Sequence, residues 1–563
     1  MGQPYTIGFG VWSPDLNNVA TPVGSPYGAQ EVPCADVLNV YYVNGSYQSL
    51  PSLQPLNSYS LPGAVLGAFT AIDPVGAPNV FGGTNGKLYV FGASSSQIAT
   101  GFNAQQWVFA QFGSNVYALG NSPLASDKMQ QIQLGGFSST VSAVSAAPVG
   151  AVIATVGQFL MVGDVQVQSA SAYSLGTGDG TTKIFNGTVP NAPLKPQSIE
   201  PMNNGLTLGP DDGVGRFSYS GYVGTINYDT GAISVNYATA PSNGAPITVI
   251  YTQEFSTRCQ WSAIGNPTSW PTPLTDAAIA AQSGINDLES EFGPIKFIAG
   301  YPLYGLVFQN QAITRASYIG GNVVFSWQTY NRKQGLLVRG AAVQVQNYVY
   351  FLSDAGFFYT DGANTNPIGT AQDNSAGIDG WFWSNVNKNA LSTIRAGYDA
   401  RKRCVFWSIP TGTNTLPDTL LIFNILAGKW TKAAVPTELI WTDNSGGQEQ
   451  LGAFNQAHYY SLLNGPTVAG YLETCDLNFT DGNIRLTLGV RPNVDCIDIP
   501  TVVIGNRQSL SAAITYSNPT TPDPITNIAP SLSQGLYTRM RITSANAQSF
   551  HSGTIFLQKG GQV

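Results

Sequence analysis

Charge is what this chain has least of. Asp, Glu, Lys and Arg together make up 10% of its 563 residues, against about 25% in an average soluble protein. Helical proteins need Glu, Lys and Arg on their exposed faces, so this scarcity argues against a helix-rich fold. It does not mark disorder, because 43% of the residues are hydrophobic, enough to build cores. Polarity comes instead from 62 glycines and from Asn, Ser, Thr and Gln, the mixture that many turns and short strands produce. The length leaves room for three or four ordinary domains, or for one large repeat architecture with satellites.

Other shortages narrow the function. The only two histidines, His458 and His551, are far apart and stand in no motif, so nothing marks the base that a Ser-His-Asp or Cys-His unit requires. The five cysteines, Cys34, Cys259, Cys404, Cys475 and Cys496, are odd in number and scattered. That pattern fits neither a disulfide scaffold nor a CxxC metal knuckle and predicts buried apolar thiols. Asp211-Asp212-Gly213 lacks the spaced oxygens of a calcium loop, and the sequence predicts no metal and no cofactor. A net charge of −7 excludes holding nucleic acid by phosphate neutralisation. No run of 18 apolar residues occurs, so no membrane span is expected. Met1 to Tyr5 carries neither a basic nor an apolar leader region, so no secretory signal is expected.

What the chain does have is one phrase repeated: a turn with Gly or Asn, four or five β-prone residues, and another turn. Lys87–Phe91, Asn115–Leu119, Gln158–Val162, Tyr304–Phe308, Tyr348–Leu352, Val405–Ile409 and Leu420–Phe423 all read as buried strands. Asn115 to Gln158 is a step of 43 residues and Tyr304 to Tyr348 one of 44, within the roughly 40–50 residues of a four-stranded propeller blade. The predicted fold is all-β: a β-propeller over 61–167 and 253–470, preceded by an arm and first strands over 1–60. A small β-domain over 168–252 is inserted and a carboxyl-terminal β-domain covers 471–563. Within the insert, Thr225–Tyr228 and Ala232–Tyr237 alternate around Asp229-Thr230-Gly231, a hairpin loop. The best helix candidate is Thr275 to Gln282, an N-cap residue followed by an alanine-rich run.

Three segments resemble the tail nozzle (hub) proteins of short-tailed bacteriophages, the tail tubular protein B-like family. The first holds Trp12-Ser13-Pro14-Asp15, Asp36-Val37-Leu38-Asn39-Val40, Gly45-Ser46-Tyr47 and Leu50-Pro51. The second runs from Gly293 to Gly369 and includes Ile313-Thr314-Arg315, Gly320-Gly321, Gly335-Leu336-Leu337 and Val349 to Phe357. The third is the insert, with its Gly178-Asp179-Gly180-Thr181 phrase. The resemblance implies a non-enzymatic virion subunit in a homo-oligomeric, hexameric ring at the end of the tail. Such a ring retains packaged DNA, conducts it at ejection without reading its sequence, and contacts an adaptor or tail tube protein and fibre or needle proteins.

Against that frame three acidic residues stand out. Asp287, Glu289 and Glu291 alternate, so on a strand they would share one face. They are either a solvated edge kept from unwanted pairing or an acidic stripe lining a channel. Arg401-Lys402-Arg403, the only basic run, sits between a Tyr-Asp phrase and a strand and is expected at a hairpin tip. The ten tryptophans are expected in packing between blades or subunits. The alternative function is a carbohydrate-binding or glycan-cleaving tail-associated propeller, which would use paired carboxylates. A sialidase-like Ser-x-Asp-x-Gly-x-x-Trp repeat is absent.

Overall fold

The computed structural model describes residues 3–16, 19–22, 29–91, 95–122, 127–135, 140–168, 172–370, 377–479 and 484–559; Met1 and Gly2 lie outside them. Among the described residues are nine four-stranded antiparallel sheets; two make up an insert, and the other seven follow one another in the succession of a β-propeller. The chain divides into two compact units.

One unit runs from Leu61 to Leu337, with Gly362–Asn364. Its first blade is built of Gly67–Ile72, Pro78–Gly83, Lys87–Phe91 and Ser95–Thr100. The second is built of Val108–Phe112, Asn115–Leu119, Gln130–Gln133 and Val141–Ala143. Its opening hairpin turns on two residues, since Phe112 pairs with Asn115. Gly113 takes φ +58° there, which such a turn needs and a side chain disfavours. The third blade joins Val149–Val156 and Phe159–Gln168 to Thr252–Trp261 and Gly284–Asp287. The fourth holds Phe297–Gly300, Tyr304–Phe308, Ile313–Gly320 and Val324–Asn331.

Between the second and third strands of the third blade lies the insert, two four-stranded sheets built from Tyr173–Thr177 through Pro246–Ile250. Phe185, Phe217, Tyr222, Ile233 and Val235 of one sheet pack on Ile247 and Val249 of the other, so it is a β-sandwich with its own core. The predicted hairpin is present as Tyr222–Ile226 and Ala232–Tyr237. The predicted helix is a five-residue one, Asp276–Ala280. The Thr275 hydroxyl accepts from the Ala278 amide and caps it.

The other unit holds Met1–Ser60, Val338–Asp361 and Thr365–Val563. The fifth blade is Ala342–Val345, Tyr348–Ser353, Gly356–Thr360 and Thr365–Pro367. The sixth is Arg395–Asp399, Cys404–Ile409, Thr419–Asn424 and Lys429–Ala434. Trp407 and Trp430 of the sixth meet Phe357 of the fifth, each with ring centres 5.0 Å away. Their indole N–H groups reach the Ala341 and Ile368 carbonyls, so these tryptophans pack between blades. The seventh sheet combines Leu439–Asp443, Gln450–Phe454 and Tyr459–Leu462 with Gln54–Ser60. The chain that leads into the first blade is therefore hydrogen-bonded into the last.

The remaining strands of this unit form one thirteen-stranded sheet. Gln3–Trp12 pairs parallel to Gln30–Leu38 and antiparallel to Ala547–Lys559. Gln30–Leu38 pairs with Gly470–Thr474, and that strand with Tyr537–Ser544. The first and last strands of the chain thus form a single body. All five thiols are free, four of them buried and Cys496 half-buried. Among the described residues no helix is long and apolar enough to cross a membrane.

Candidate functional site

The three acidic residues do not share a strand face. The strand ends at Asp287, and Ser290–Phe292 form a short 3-10 turn. Phe292 is buried there, and Gln309 Nε2 donates to the Glu289 and Gly293 carbonyls, so packing and hydrogen bonding fold the backbone out of the sheet. Asp287 lies opposite Arg258 and accepts from Nε and Nη2, both at 2.7 Å. Glu289 takes Arg332 in the same bidentate way, at 2.9 and 3.1 Å. Two of the three charges are matched by arginine, and Glu291 is exposed.

The other sequence candidates are spread across separate loops. His458 Nδ1 is 2.7 Å from Glu438 Oε2, while His551 lies beside Ser549 at 3.3 Å. Arg401-Lys402-Arg403 occupies the turn between Arg395–Asp399 and Cys404–Ile409, and Lys402 Nζ pairs with Asp399 at 2.9 Å. The Asp211 carboxylate accepts from the Gln197, Ile199 and Gly213 amides, so it ties a loop together. Among the described residues no group of three or more His, Cys, Asp or Glu could hold a metal.

Among the described residues a dense ionic cluster belongs to the thirteen-stranded sheet. Glu473 and Asp476 are almost fully buried, with side chains 1% and 3% exposed. Asp476 accepts from Arg507 Nε at 3.0 Å and from Arg539 Nη2 at 2.8 Å. Glu473 accepts from Arg541 Nε at 2.6 Å and from Arg539 Nη1 at 3.3 Å. Burial alone would lower the Arg539 pKa, but Asp476 and Glu473 outweigh it and raise it. Tyr516, whose hydroxyl donates to Glu473, is pushed up to about 12, first by burial and then by that carboxylate. Arg507, Arg539 and Asp476 line a cleft of about 260 Å³ with Ser13, Cys34 and Cys475. Glu473 and Arg541 are 68 positions apart, and only the alternation of Arg539 and Arg541 with Met540 and Ile542 hinted that they project from one strand face.

A second cluster fastens the amino-terminal arm. Asp15 accepts from the Gly380 amide at 2.7 Å and from the Trp381 amide at 2.6 Å, at the start of the helix Asp379–Asn385. The Asp15 amide donates to the Gly377 carbonyl, and the Gly377 amide to Ser13 Oγ. Trp12 meets Trp381 edge-on, with ring centres 5.4 Å apart. Lys432, paired with Asp36 at 2.7 Å, stands over both indoles. Beside this contact the half-buried Asp379 accepts from the Phe357 amide at 3.1 Å and from Thr370 Oγ1 at 2.9 Å.

Set beside known proteins, the chain matches no protein-family profile and no curated protein. Among solved structures it is similar to AztD of Citrobacter koseri, at 12% identity over 77% of this chain and 94% of that one, with a TM-score of 0.25. It is also similar to an exo-beta-1,3-galactanase of Phanerochaete chrysosporium, at 9% identity over 88% and 100% of the two chains and a TM-score of 0.23. PorZ of Porphyromonas gingivalis, a surface component of a type-IX secretion system, matches at 9% identity over 95% and 85%, with a TM-score of 0.21. Likeness this distant transfers no activity.

Proposed function

We propose that this chain is a structural subunit of the tail of a short-tailed bacteriophage, working in a homo-oligomeric ring of the nozzle or hub type. The observation that carries the reading is the thirteen-stranded sheet, which weaves Gln3–Ser49 together with Gly470–Lys559. Its buried carboxylates are engaged by arginines of the same sheet. Charges used in this way build a rigid body rather than a reaction centre, which needs a nucleophile or acid presented to a substrate. The propeller blades and the inserted sandwich accord with the resemblance of the three sequence segments to the nozzle family. In this role the ring meets an adaptor or tail tube protein above it and fibre or needle proteins around it. Genomic DNA passes through it without sequence-specific contacts, and Asp287, Glu289 and Glu291 remain candidates for the channel wall.

Negative-stain electron microscopy of the purified protein, with native mass measurement across a concentration series, tests the reading. Closed rings, six-membered in the family's pattern, are the expected result. A chain that stays monomeric at the highest concentration and is absent from phage particles overturns it. Release of reducing ends from a polysaccharide by the purified protein overturns the non-enzymatic assignment.

A further inference from the structure

Inside a protein a phenol hydroxyl ordinarily finds a partner. In this chain Tyr47 donates to the Gly10 carbonyl, Tyr460 to Asp443 and Tyr471 to Asp36. Four tyrosines where the fifth and sixth blades meet depart from that pattern. Tyr350 and Tyr359 are register partners in the fifth blade and lie nearly parallel, with ring centres 5.7 Å apart at 28°. Tyr348, exposed beside the two-residue turn that follows Val345, stands edge-on to Tyr359 at 5.8 Å and 71°. Phe423 of the sixth blade packs on Tyr350 at 6.2 Å. Tyr398 of the sixth blade joins the group, since its charge acts on Tyr350 as those of Tyr359 and Tyr348 do. Tyr350 and Tyr398 are only 7% and 5% exposed. Yet among the described residues none of the four hydroxyls is hydrogen-bonded within the chain.

We propose that Tyr348, Tyr350, Tyr359 and Tyr398 form a binding site for a neutral sugar ring, the terminal hexose of a glycan. A pyranose offers a C–H face that packs on an aromatic ring and a rim of hydroxyls that both donate and accept. Tyr348 and Tyr359, set steeply to each other, make a corner that meets both. The phenols of Tyr350 and Tyr398 stand unpaired at nearly buried residues, and sugar hydroxyls satisfy them. Burial pushes Tyr350 up to about 12, and Tyr359, Tyr348 and Tyr398 add to the rise, so this phenol keeps its proton to donate at neutral pH. Asn366, the register partner of Tyr359, brings an amide to the same face. Charge at the rim is mixed. Burial and then Glu449 raise the Tyr398 pKa while Arg403 lowers it, and Asp399 is paired with Lys402. Opposite charges of this kind favour a neutral ligand over a phosphate chain, which needs an excess of cations. All of these residues belong to one compact unit, so the site needs no second subunit and stands or falls apart from the ring.

Saturation-transfer NMR of the full chain with methyl glucosides, galactosides and mannosides, backed by affinity electrophoresis in gels cast with neutral polysaccharides, tests the site. At least one of these sugars is expected to bind. Tyr348→Ala should weaken it about tenfold, and Tyr350→Phe or Tyr398→Phe, which remove only a hydroxyl, about threefold. Tyr219→Ala takes an equally exposed ring from the insert and should leave the affinity unchanged. Absence of binding across the whole panel overturns the proposal, as does binding that Tyr348→Ala and Tyr398→Phe leave undiminished. Binding of oligothymidylate in place of sugar, lost in Tyr348→Ala, overturns it in favour of a nucleic-acid platform. Should Tyr348→Ala fail to fold, undiminished sugar binding by Tyr350→Phe and Tyr398→Phe overturns it equally.

Discussion

Lys195 shows how single charged residues are used in this chain. The residue is 5% exposed, and its ammonium donates to the Ser122 carbonyl at 2.7 Å and to Gln166 Oε1 at 2.6 Å, with Asn121 Oδ1 at 3.4 Å. Lys195 belongs to the insert, Gln166 to the third blade, and Asn121 and Ser122 follow the second, so one side chain pins the module to its support. Replacing it with methionine fills similar volume and takes the ammonium donor away from the Ser122 carbonyl and Gln166 Oε1 at a buried site, while Asn121 Oδ1 still accepts from Gln166 Nε2. Lys195→Met is expected to cost about 3 kcal/mol in denaturant unfolding. A loss below about 0.5 kcal/mol would show that the pin is decorative. Sequence reading could not single out this residue, because a lone Lys between Leu194 and Pro196 looks the same on a surface as in a core. The same limit hid Glu473 and Asp476, whose partners lie in strands distant along the chain.

At the scale of elements the strands were legible and their ends were not. Val405–Ile409 and Tyr348–Leu352 announce themselves because runs buried on both faces need unbroken β-branched and aromatic residues. The acidic alternation at Asp287, Glu289 and Glu291 misled because a period of two carries meaning only while the backbone stays extended, and burial of Phe292 bends it away. The pairing of the first strands with the last was illegible for another reason: alternation shows which face is buried but not which strand lies alongside. Blade-to-blade contact is equally silent in sequence, and Gly300 shows its strictness. A methyl group there would lie 1.8 Å from the Thr155 carbonyl oxygen of the preceding blade, so Gly300→Ala must push the third and fourth blades apart. Gly321, at an exposed turn with nothing within 4 Å, is the control, carrying only the φ penalty of +65°. Gly300→Ala is expected to lower the thermal midpoint by clearly more than Gly321→Ala. Equal losses would mean that the blades do not rely on that close approach.

At the scale of the whole chain the insert is the part designed to be separable. Gln168 and Thr252 are register partners in the third blade, so the chain leaves and re-enters the sheet from positions about 5 Å apart. The sandwich between them buries its own core, and insertions at such a turn cost little in closure entropy. Joining the two strands by a two-residue Asn-Gly turn in place of the module should therefore leave the blades folded. The comparison with Lys195→Met sharpens this. In the point variant Ser122 and Gln166 lose their donor while the module still covers them, whereas excision uncovers them and lets water take the donor's place. Unsatisfied burial costs more than exposure. The excised chain is thus expected to show cooperative unfolding with a smaller loss of blade stability than the single substitution, followed by far-UV circular dichroism against denaturant. If excision proves the more damaging change, the module is a structural part of the propeller rather than a guest on it.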